Sequence, residues 1–258
     1  MPNTEPVENA NRKVIKQYQS DIGSLMYLML GTHPNLAYTV RKLTCFSANP
    51  SPKHLHTLEH VFAYVNRTKR YCLVYQTTGN IFPHGYVDAD FASDSSDRKS
   101  ISGYTFKLAG GAFSWSSKKQ QSVTTSTMEA EYHAAHSGSL NALWIRQFFD
   151  QIGIPFEDPL TILCDNQGAI ATAKAEQSHQ RSKHIDIKIH SIREHIERKL
   201  IELEYVSSKD NLADVFTKSL PYDIHNLSAQ SLGLCHIPTK EEDTSVSQYF
   251  SVILEGDV

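Results

Sequence analysis

Four acidic residues fall in four separate segments, at positions suited to metal-ion chemistry. They are Asp88 in Gly85-Tyr86-Val87-Asp88-Ala89-Asp90, Glu131 in Met128-Glu129-Ala130-Glu131-Tyr132, Asp165 in Leu163-Cys164-Asp165-Asn166-Gln167, and Asp214 in Asn211-Leu212-Ala213-Asp214. Asp88 and Asp165 end apolar, strand-like runs, whereas Glu131 and Asp214 lie in helix-like segments. Folded into one cluster, four carboxylates repel one another unless cations neutralise them. Two hard divalent cations held by such oxygens can hydrolyse a phosphodiester.

Each acid also has a plainer explanation. Asp165-Asn166 has the composition of a helix N-cap. Beside Asp88, however, a strand-terminal carboxylate suits the carboxyl end of a sheet, where ligand sites form. Glu131 is separated from Glu129 by about 200° around a helix. It shares its stripe with Ala135, Gly138, Ala142, Ile145 and Phe149, a face suited to a sheet, while Glu129 points to solvent. A carboxylate on that buried face needs a cation, or else a Lys or Arg partner. Asp210 reads as a cap or first-turn acid. Asp214, one turn later, has the apolar neighbours Leu212, Val215 and Phe216 and depends on the other three acids for its standing.

The elements that must position these residues start near Phe82. Strands are expected over 85–91, 103–108 and 112–116, the last two joined as a hairpin at Gly110-Gly111. A long helix capped by Ser126 or Thr127 follows to about Ile152, closed by Gly153 and Pro155. A strand over 160–165, helices over 167–175 and 185–200, a strand over 201–206 and a last helix over 210–220 complete the set, with Pro221 as the stop. The order β-β-β-α-β-α-α-β-α implies an α/β fold. Its mixed five-stranded sheet has three antiparallel and two parallel strands flanked by helices.

A small helical region is expected upstream, over 17–78. Ile22, Leu25, Met26 and Met29 have helical spacing, Pro34 opens a second helix, and Ser51-Pro52 opens a third that ends near Thr68. A short strand is expected at Leu73-Val74-Tyr75. Residues 1–16 and the acidic tail 235–258 are expected to be disordered, leaving 80–234 as the α/β domain.

Composition sets the outer limits. The 258 residues, 40% hydrophobic and 21% charged, can bury a core in one or two domains. A net charge of −3 argues against a generally basic nucleic-acid binder but permits a local basic face. The scattered Cys45, Cys72, Cys164 and Cys235 indicate neither a disulfide framework nor a zinc site. A reducing compartment is expected, with no membrane span and no signal peptide.

The motifs, taken in order, resemble the ribonuclease H domain of copia-type retrotransposon Pol polyproteins. They are Tyr86-Val87-Asp88-Ala89-Asp90, Asp97-Arg98-Lys99-Ser100-Ile101-Ser102-Gly103-Tyr104, Trp115-Ser116-Ser117-Lys118-Lys119-Gln120, Ser126-Thr127-Met128-Glu129-Ala130-Glu131-Tyr132, Cys164-Asp165-Asn166-Gln167, Arg181-Ser182-Lys183-His184-Ile185-Asp186 with His190 and Arg193-Glu194, and Leu212-Ala213-Asp214-Val215-Phe216-Thr217-Lys218. Upstream, Tyr18-Gln19-Ser20-Asp21-Ile22-Gly23-Ser24-Leu25-Met26-Tyr27-Leu28 with Leu36-Ala37-Tyr38 resembles the end of the reverse transcriptase region, the thumb or connection of the same polyproteins.

The resemblance implies a ribonuclease H-like fold and endonucleolytic cleavage of the RNA strand of RNA–DNA hybrids. Two Mg²⁺ ions, replaceable by Mn²⁺, would serve as cofactors. It implies that Asp88 bridges both ions, that Glu131 and Asp165 complete the site of one, and that Asp214 completes the other. Asp90 stands outside this set. The implied partners are the hybrid and the rest of a retrotransposon polymerase. The implied location is intracellular: cytoplasmic, in a retrotransposon particle if the element is active, or nuclear. No polymerase activity is expected, because Ala89 separates the acids of Tyr86-Val87-Asp88-Ala89-Asp90 and no palm precedes them. Cellular members often carry an Asn just before the helix Glu and often a His in the loop before the last Asp. Here Ser126, Thr127 and Met128, and Ser207-Ser208-Lys209, stand in those places. Either turnover is slow or another residue serves.

For the substrate, Lys118, Lys119, Arg181, Lys183, Lys188 and Arg193 are the candidate phosphate contacts, and Asn166 and Gln167 the candidate readers of the RNA 2′-hydroxyls. The basic run over the later helices is equally the composition of a solvated helix face. His56 with His60, and His184 with His190, lack the further ligands of a zinc site, and Trp115 and Trp144 are expected in the core. Two other functions compete: a catalytically silent nucleic-acid-binding remnant, and an integrase or transposase. The latter typically uses three acids, the last often Glu on a late helix, so Glu131 with Asp214 favours ribonuclease H.

Overall fold

Alternating burial along His84–Asp90 (β2) and Leu160–Cys164 (β5) makes these two strands the centre of the sheet. A computed structural model describes residues 10–76, 82–94, 97–175 and 183–237, with side chains from 187 onward in the last segment. The sheet order is β4-β3-β2-β5-β6. Ile101–Leu108 (β3) pairs antiparallel with β2 and with Gly111–Lys119 (β4). Strand β5 runs parallel to β2 and to Ile201–Tyr205 (β6). This is the expected mixed five-stranded sheet. The β3–β4 turn is Ala109-Gly110, both with positive φ (49° and 82°), one residue earlier than the Gly110-Gly111 pair suggests.

The long helix α4 (Thr127–Gln151) lies against β2 and β3. Ser126 caps it by accepting from Glu129 N (3.1 Å), and the Glu129 carboxylate accepts from Thr125 N (2.6 Å). Its small buried residues let it approach the sheet closely. A Cβ on Gly138 would come within 2.5 Å of Val87 Cγ1. Val87, Phe106, Ile162 and Leu203 from the strands, Ala135, Ala142 and Ile145 from α4, and Ile192 from α6 (Lys183–Glu197) form the main core. Burying a side chain such as Ile162 contributes about 1.5–3 kcal/mol. The short α5 (Gln167–Lys174) connects β5 to this helical layer.

Upstream, α1 (Arg12–Gly31), a 3-10 turn at Pro34–Leu36, α2 (Ala37–Thr44) and α3 (Pro52–Arg67) form a second core around Tyr18, Ile22, Leu25, Val40 and Leu58. The buried face of α1 runs through Tyr18, Ile22 and Leu25 and leaves Met26 39% exposed, so the expected stripe is shifted by a fraction of a turn. Helix α1 also starts inside the stretch expected to be disordered, because Asn11 caps it through Lys13 N at 2.9 Å. The upstream strand β1 is Tyr71–Leu73, slightly earlier than expected.

The C-terminal part departs most from expectation. The helix expected over 210–220 divides into a 3-10 turn at Ser208–Asp210 and the single turn α7 (Asp214–Thr217). Asn211 makes the break. Its backbone is extended, its Nδ2 donates to Val87 O (2.9 Å) and its Oδ1 accepts from Ala213 N (3.1 Å). Pro221, read as a stop, precedes α8 (Tyr222–Ser231), since a fixed φ suits a helix start as well as an end. Cys235 and His236, placed in the disordered tail, belong to β7 (Leu234–His236), which pairs with β1; the rest of that tail from 238 lies outside the described residues. Ala37, Ala112, Val215, Phe216 and Leu232 then form a third core that joins the upstream helices to the sheet. The upstream helices and the sheet therefore share a packed core.

Candidate active site

Strand register brings the first two acids together. Val87 pairs with Cys164 across the parallel β2–β5 ladder, so Asp88 and Asp165 follow on the next rung of neighbouring strands. Asp165 is not the cap of α5. Asn166 takes that role, with Oδ1 accepting from Ala169 N at 2.9 Å, and Asp165 is left for the site. Helix α4 adds Glu131 at its buried N-terminal end, where its carboxyl accepts from Ala89 N–H. The single turn α7 adds Asp214 from the other face. There Thr217 donates its hydroxyl to Asp88 Oδ2. The four predicted acids are thus close enough for their charges to act on one another, with Glu131 and Asp165 in the tightest group.

Their electrostatics record the crowding. Burial first, then the charges of Asp214 and Asp165, push Asp88 up to about 7, against the opposing hydrogen bond from Thr217. Burial, with the charges of Asp88 and Asp165, pushes Glu131 up to about 9. Asp214 is raised by burial, opposed by the Lys218 ammonium paired with it. Glu131 Oε2 is buried without a hydrogen-bond partner. One ligand atom each from Glu131, Cys164 and Asp165 lies within 4.8 Å of the others. Burial and the charge of Glu131 push the Cys164 thiol up to about 12, so it is a protonated packing group rather than a thiolate ligand. The remaining donors are hard carboxylate oxygens, the set that suits Mg²⁺ or Mn²⁺.

The chain is 36% identical over 228 residues to the Retrovirus-related Pol polyprotein from transposon TNT 1-94 of Nicotiana tabacum, a match covering 88% of the chain and 17% of that relative. It is 34% identical over 222 residues to the corresponding polyprotein from transposon RE1 of Arabidopsis thaliana, covering 86% of the chain and 15% of the relative. The chain belongs to the retrovirus-related Pol polyproteins of copia-type transposons. The five-stranded unit has the ribonuclease H-like strand order expected from the sequence. The chain spans less than a fifth of the length of these two relatives. It is also similar to Secreted RxLR effector protein 161 of Plasmopara viticola, at 43% identity over 128 residues, or 50% of the chain and 90% of that protein. No family model matches. Among solved structures, LC11-RNase H1 in complex with RNA/DNA hybrid overlays 52% of the chain and 93% of its own, at 13% identity and a TM-score of 0.41. The foamy viral protease-reverse transcriptase in complex with RNA/DNA hybrid overlays 54% of the chain and 20% of its own, at 14% identity and the same score. Scores of this size add no weight to the strand order and the Pol relatives.

The predicted substrate contacts of this Pol segment fare unevenly. Lys118 is exposed at the end of β4, and Gln167 is exposed on the first turn of α5. Lys119 is tied to Asp94 (2.8 Å) and Asp97 (2.9 Å). Lys188 Nζ rests on the ring of His133, at 2.7 Å from Nδ1. Burial and that ammonium push His133 down to about 4, so the ring is neutral. Lys118, Lys119, His133 and Lys188 line one polar cleft of about 390 Å³. Arg193 does not face substrate. It is 9% exposed and donates to Thr172 O through Nη2 (2.9 Å) and Nε (3.3 Å), bracing α6 against α5. Asn166 spends its carbonyl on the α5 cap. Arg181, and the side chain of Lys183, lie outside the described residues.

Trp144 is 56% exposed and stacks on Phe148, against the expectation of a core residue, while Trp115 packs partly buried on the third core. The histidines His56 and His60 are exposed on α3. The sequence reading missed Thr217 and Lys218 as parts of the site. Their spacing of three and four residues from Asp214 is the available signal. It also missed Asn211, whose only signal is a helix-breaking residue inside an apolar run.

Proposed function

We propose that this Pol segment is a metal-dependent endonuclease that hydrolyses the RNA strand of RNA–DNA hybrids. The observation that carries the reading is the meeting of Asp88, Glu131, Asp165 and Asp214 at the carboxyl ends of β2 and β5, with a buried Glu131 oxygen left unpartnered. Such a set is suited to two Mg²⁺ ions, with Asp88 central, Glu131 and Asp165 on one side and Asp214 on the other. Bound there, the pair would supply an activated water and stabilise charge on the departing 3′ oxygen.

The chain's own residues orient and shield this site. Thr217 fixes one Asp88 oxygen, and Ala89 N–H holds the Glu131 carboxyl at the start of α4. Asn211, through Val87 O, ties the loop before Asp214 to the strand that carries Asp88. The cleft beside Lys118 and Lys188 is suited to phosphates of the uncut strand, and Gln167 stands near Asp165 to meet the minor groove. The test is incubation of labelled hybrid with the protein and Mg²⁺. Cleavage should be absent from an Asp88→Asn variant; equal product from both proteins would reject the assignment.

One observation favours a silent hybrid-binding remnant as the second reading. Asp214 is already paired with a cation, Lys218, at 2.8 Å. That reading expects salt-sensitive hybrid binding with no scission and no requirement for Mg²⁺. Calorimetric Mg²⁺ binding that disappears in Asp165→Asn would count against it.

A further inference from the structure

The pairing of Lys218 with Asp214 has its own consequence. Lys218 Nζ lies 2.8 Å from Asp214 Oδ1, with the two side chains 40% and 17% exposed. The contact is built into the backbone. Lys218 N–H donates to Asp214 O (3.1 Å), closing the single turn α7, and the chain then leaves in extended conformation. The neighbouring Thr217 hydroxyl is committed to Asp88. Among the described residues no other ion pair involves any of the four acids. The charges of Asp88 and Asp165 also reach this ammonium. A cation thus sits beside the Asp214 carboxylate where α7 meets Asp88 of β2, on an element only one turn long. So short a helix has little stability of its own. The Lys218 ammonium offsets the like charge that Asp165 places on Asp214.

We infer that Lys218 is the resident counter-cation of the carboxylate cluster: it holds Asp214 in place in the metal-free protein and competes with a divalent cation for that carboxylate. The inference rests on the reading of the cluster as a cation site. Lys218 is therefore a positioning residue. It lets the acids gather before metal arrives, and it weakens metal binding on the Asp214 side. The residue that keeps the empty site assembled is the one a cation must displace or tolerate.

The experiment compares the parent with Lys218→Met, which removes the charge and keeps much of the length, and Lys218→Arg, which keeps the charge. Two measurements are made on each: melting temperature without metal, and Mg²⁺ affinity by calorimetry. Lys218→Met should melt lower without metal, by roughly 2–4 °C, and should bind Mg²⁺ on the order of tenfold more tightly. Lys218→Arg should match the parent in both. In an Asp214→Asn background, Lys218→Met should change the metal-free melting temperature little, since its partner is gone. An unchanged melting temperature in Lys218→Met, or a weaker Mg²⁺ affinity, overturns the inference. If the parent itself binds no Mg²⁺, the reading of the site fails and the competition fails with it. The metal-free comparison still decides whether Lys218 is the counter-cation.

Discussion

Gly103 on β3 is the register partner of Asp88 on β2, and α7 lies so close above it that a Cβ there would come within 2.7 Å of Thr217 Cγ2 and 2.8 Å of Phe216 Cβ. The single turn that brings Asp214 to the site and Thr217 to Asp88 therefore depends on a missing side chain on the neighbouring strand. Phe216 is fully buried in the third core and cannot retreat easily. Gly103→Ala should destabilise the fold by about 1–3 kcal/mol through overpacking. It should also lower Mg²⁺ affinity, because α7 must lift away from Asp88. Thermal unfolding and calorimetry on the same preparation check both effects. A variant with normal stability and normal Mg²⁺ binding would show that α7 has room to spare.

The raised carboxyls fix a pH dependence for the metal-free protein. Glu131 goes from an ordinary value of 4.5 to about 9, and Asp88 from 3.8 to about 7, chiefly by burial. The folded state therefore holds more protons than the unfolded state between those values. Stability must fall as pH rises through that window, by on the order of 1.4 kcal/mol per pH unit for each group still titrating. Denaturant midpoints of metal-free protein should drop from pH 5 to pH 9. Glu131→Gln should flatten the upper part of that slope. Saturating Mg²⁺ should remove most of it, since a cation favours the charged forms and its binding releases protons. A midpoint constant across this range would contradict the buried, crowded site.

Much of this was legible in the sequence, and the exceptions share a cause. The alternation of β2 and the apolar run of β5 locate Asp88 and Asp165, and helix periodicity separates Glu131 from Glu129. These are local patterns that tertiary packing only ratifies. What failed are residues whose role is set by distant partners. Arg193 reads as a phosphate contact because it sits in a basic helix, yet its fork is used on Thr172 O, across a helix pair that no sequence period reveals. Lys119 reads as free, but its partners Asp94 and Asp97 lie across a loop. Trp144 reads as core by its size, but its position falls on the outer face of α4. The break at Asn211 was invisible because its cause, Val87 O, lies 124 residues away.

That bond gives a third expectation. Asn211 is 4% exposed, with Nδ2 on Val87 O and Oδ1 on Ala213 N. It ties the loop before Asp214 to the residue before Asp88, so it sets the spacing between two of the acids. Asn211→Ala would leave both the Val87 carbonyl and the Ala213 amide without their side-chain partner, a loss of about 1–3 kcal/mol. Hybrid cleavage should fall further than folding alone explains. Comparing activity well below the melting temperature, with circular dichroism confirming the folded fraction, separates the two. Full activity at full folded fraction would mean that other contacts hold the spacing.

Two basic residues from the same predicted set should behave in opposite ways. Arg193 is buried and braces α5, whereas Lys118 is exposed beside the 390 Å³ cleft. Arg193→Met should destabilise by about 1.5–3 kcal/mol, the range for a lost hydrogen bond from a charged group, and should leave the salt dependence of hybrid binding as it was. Lys118→Gln should leave stability within about 0.5 kcal/mol. It should weaken hybrid binding and reduce the slope of log K against log salt by about 0.9, the signature of one phosphate contact removed. Binding isotherms at several salt concentrations, run beside thermal melts, test the pair together. The reverse assignment, with the slope moving in Arg193→Met and not in Lys118→Gln, would place the nucleic acid on α6 rather than at the end of β4.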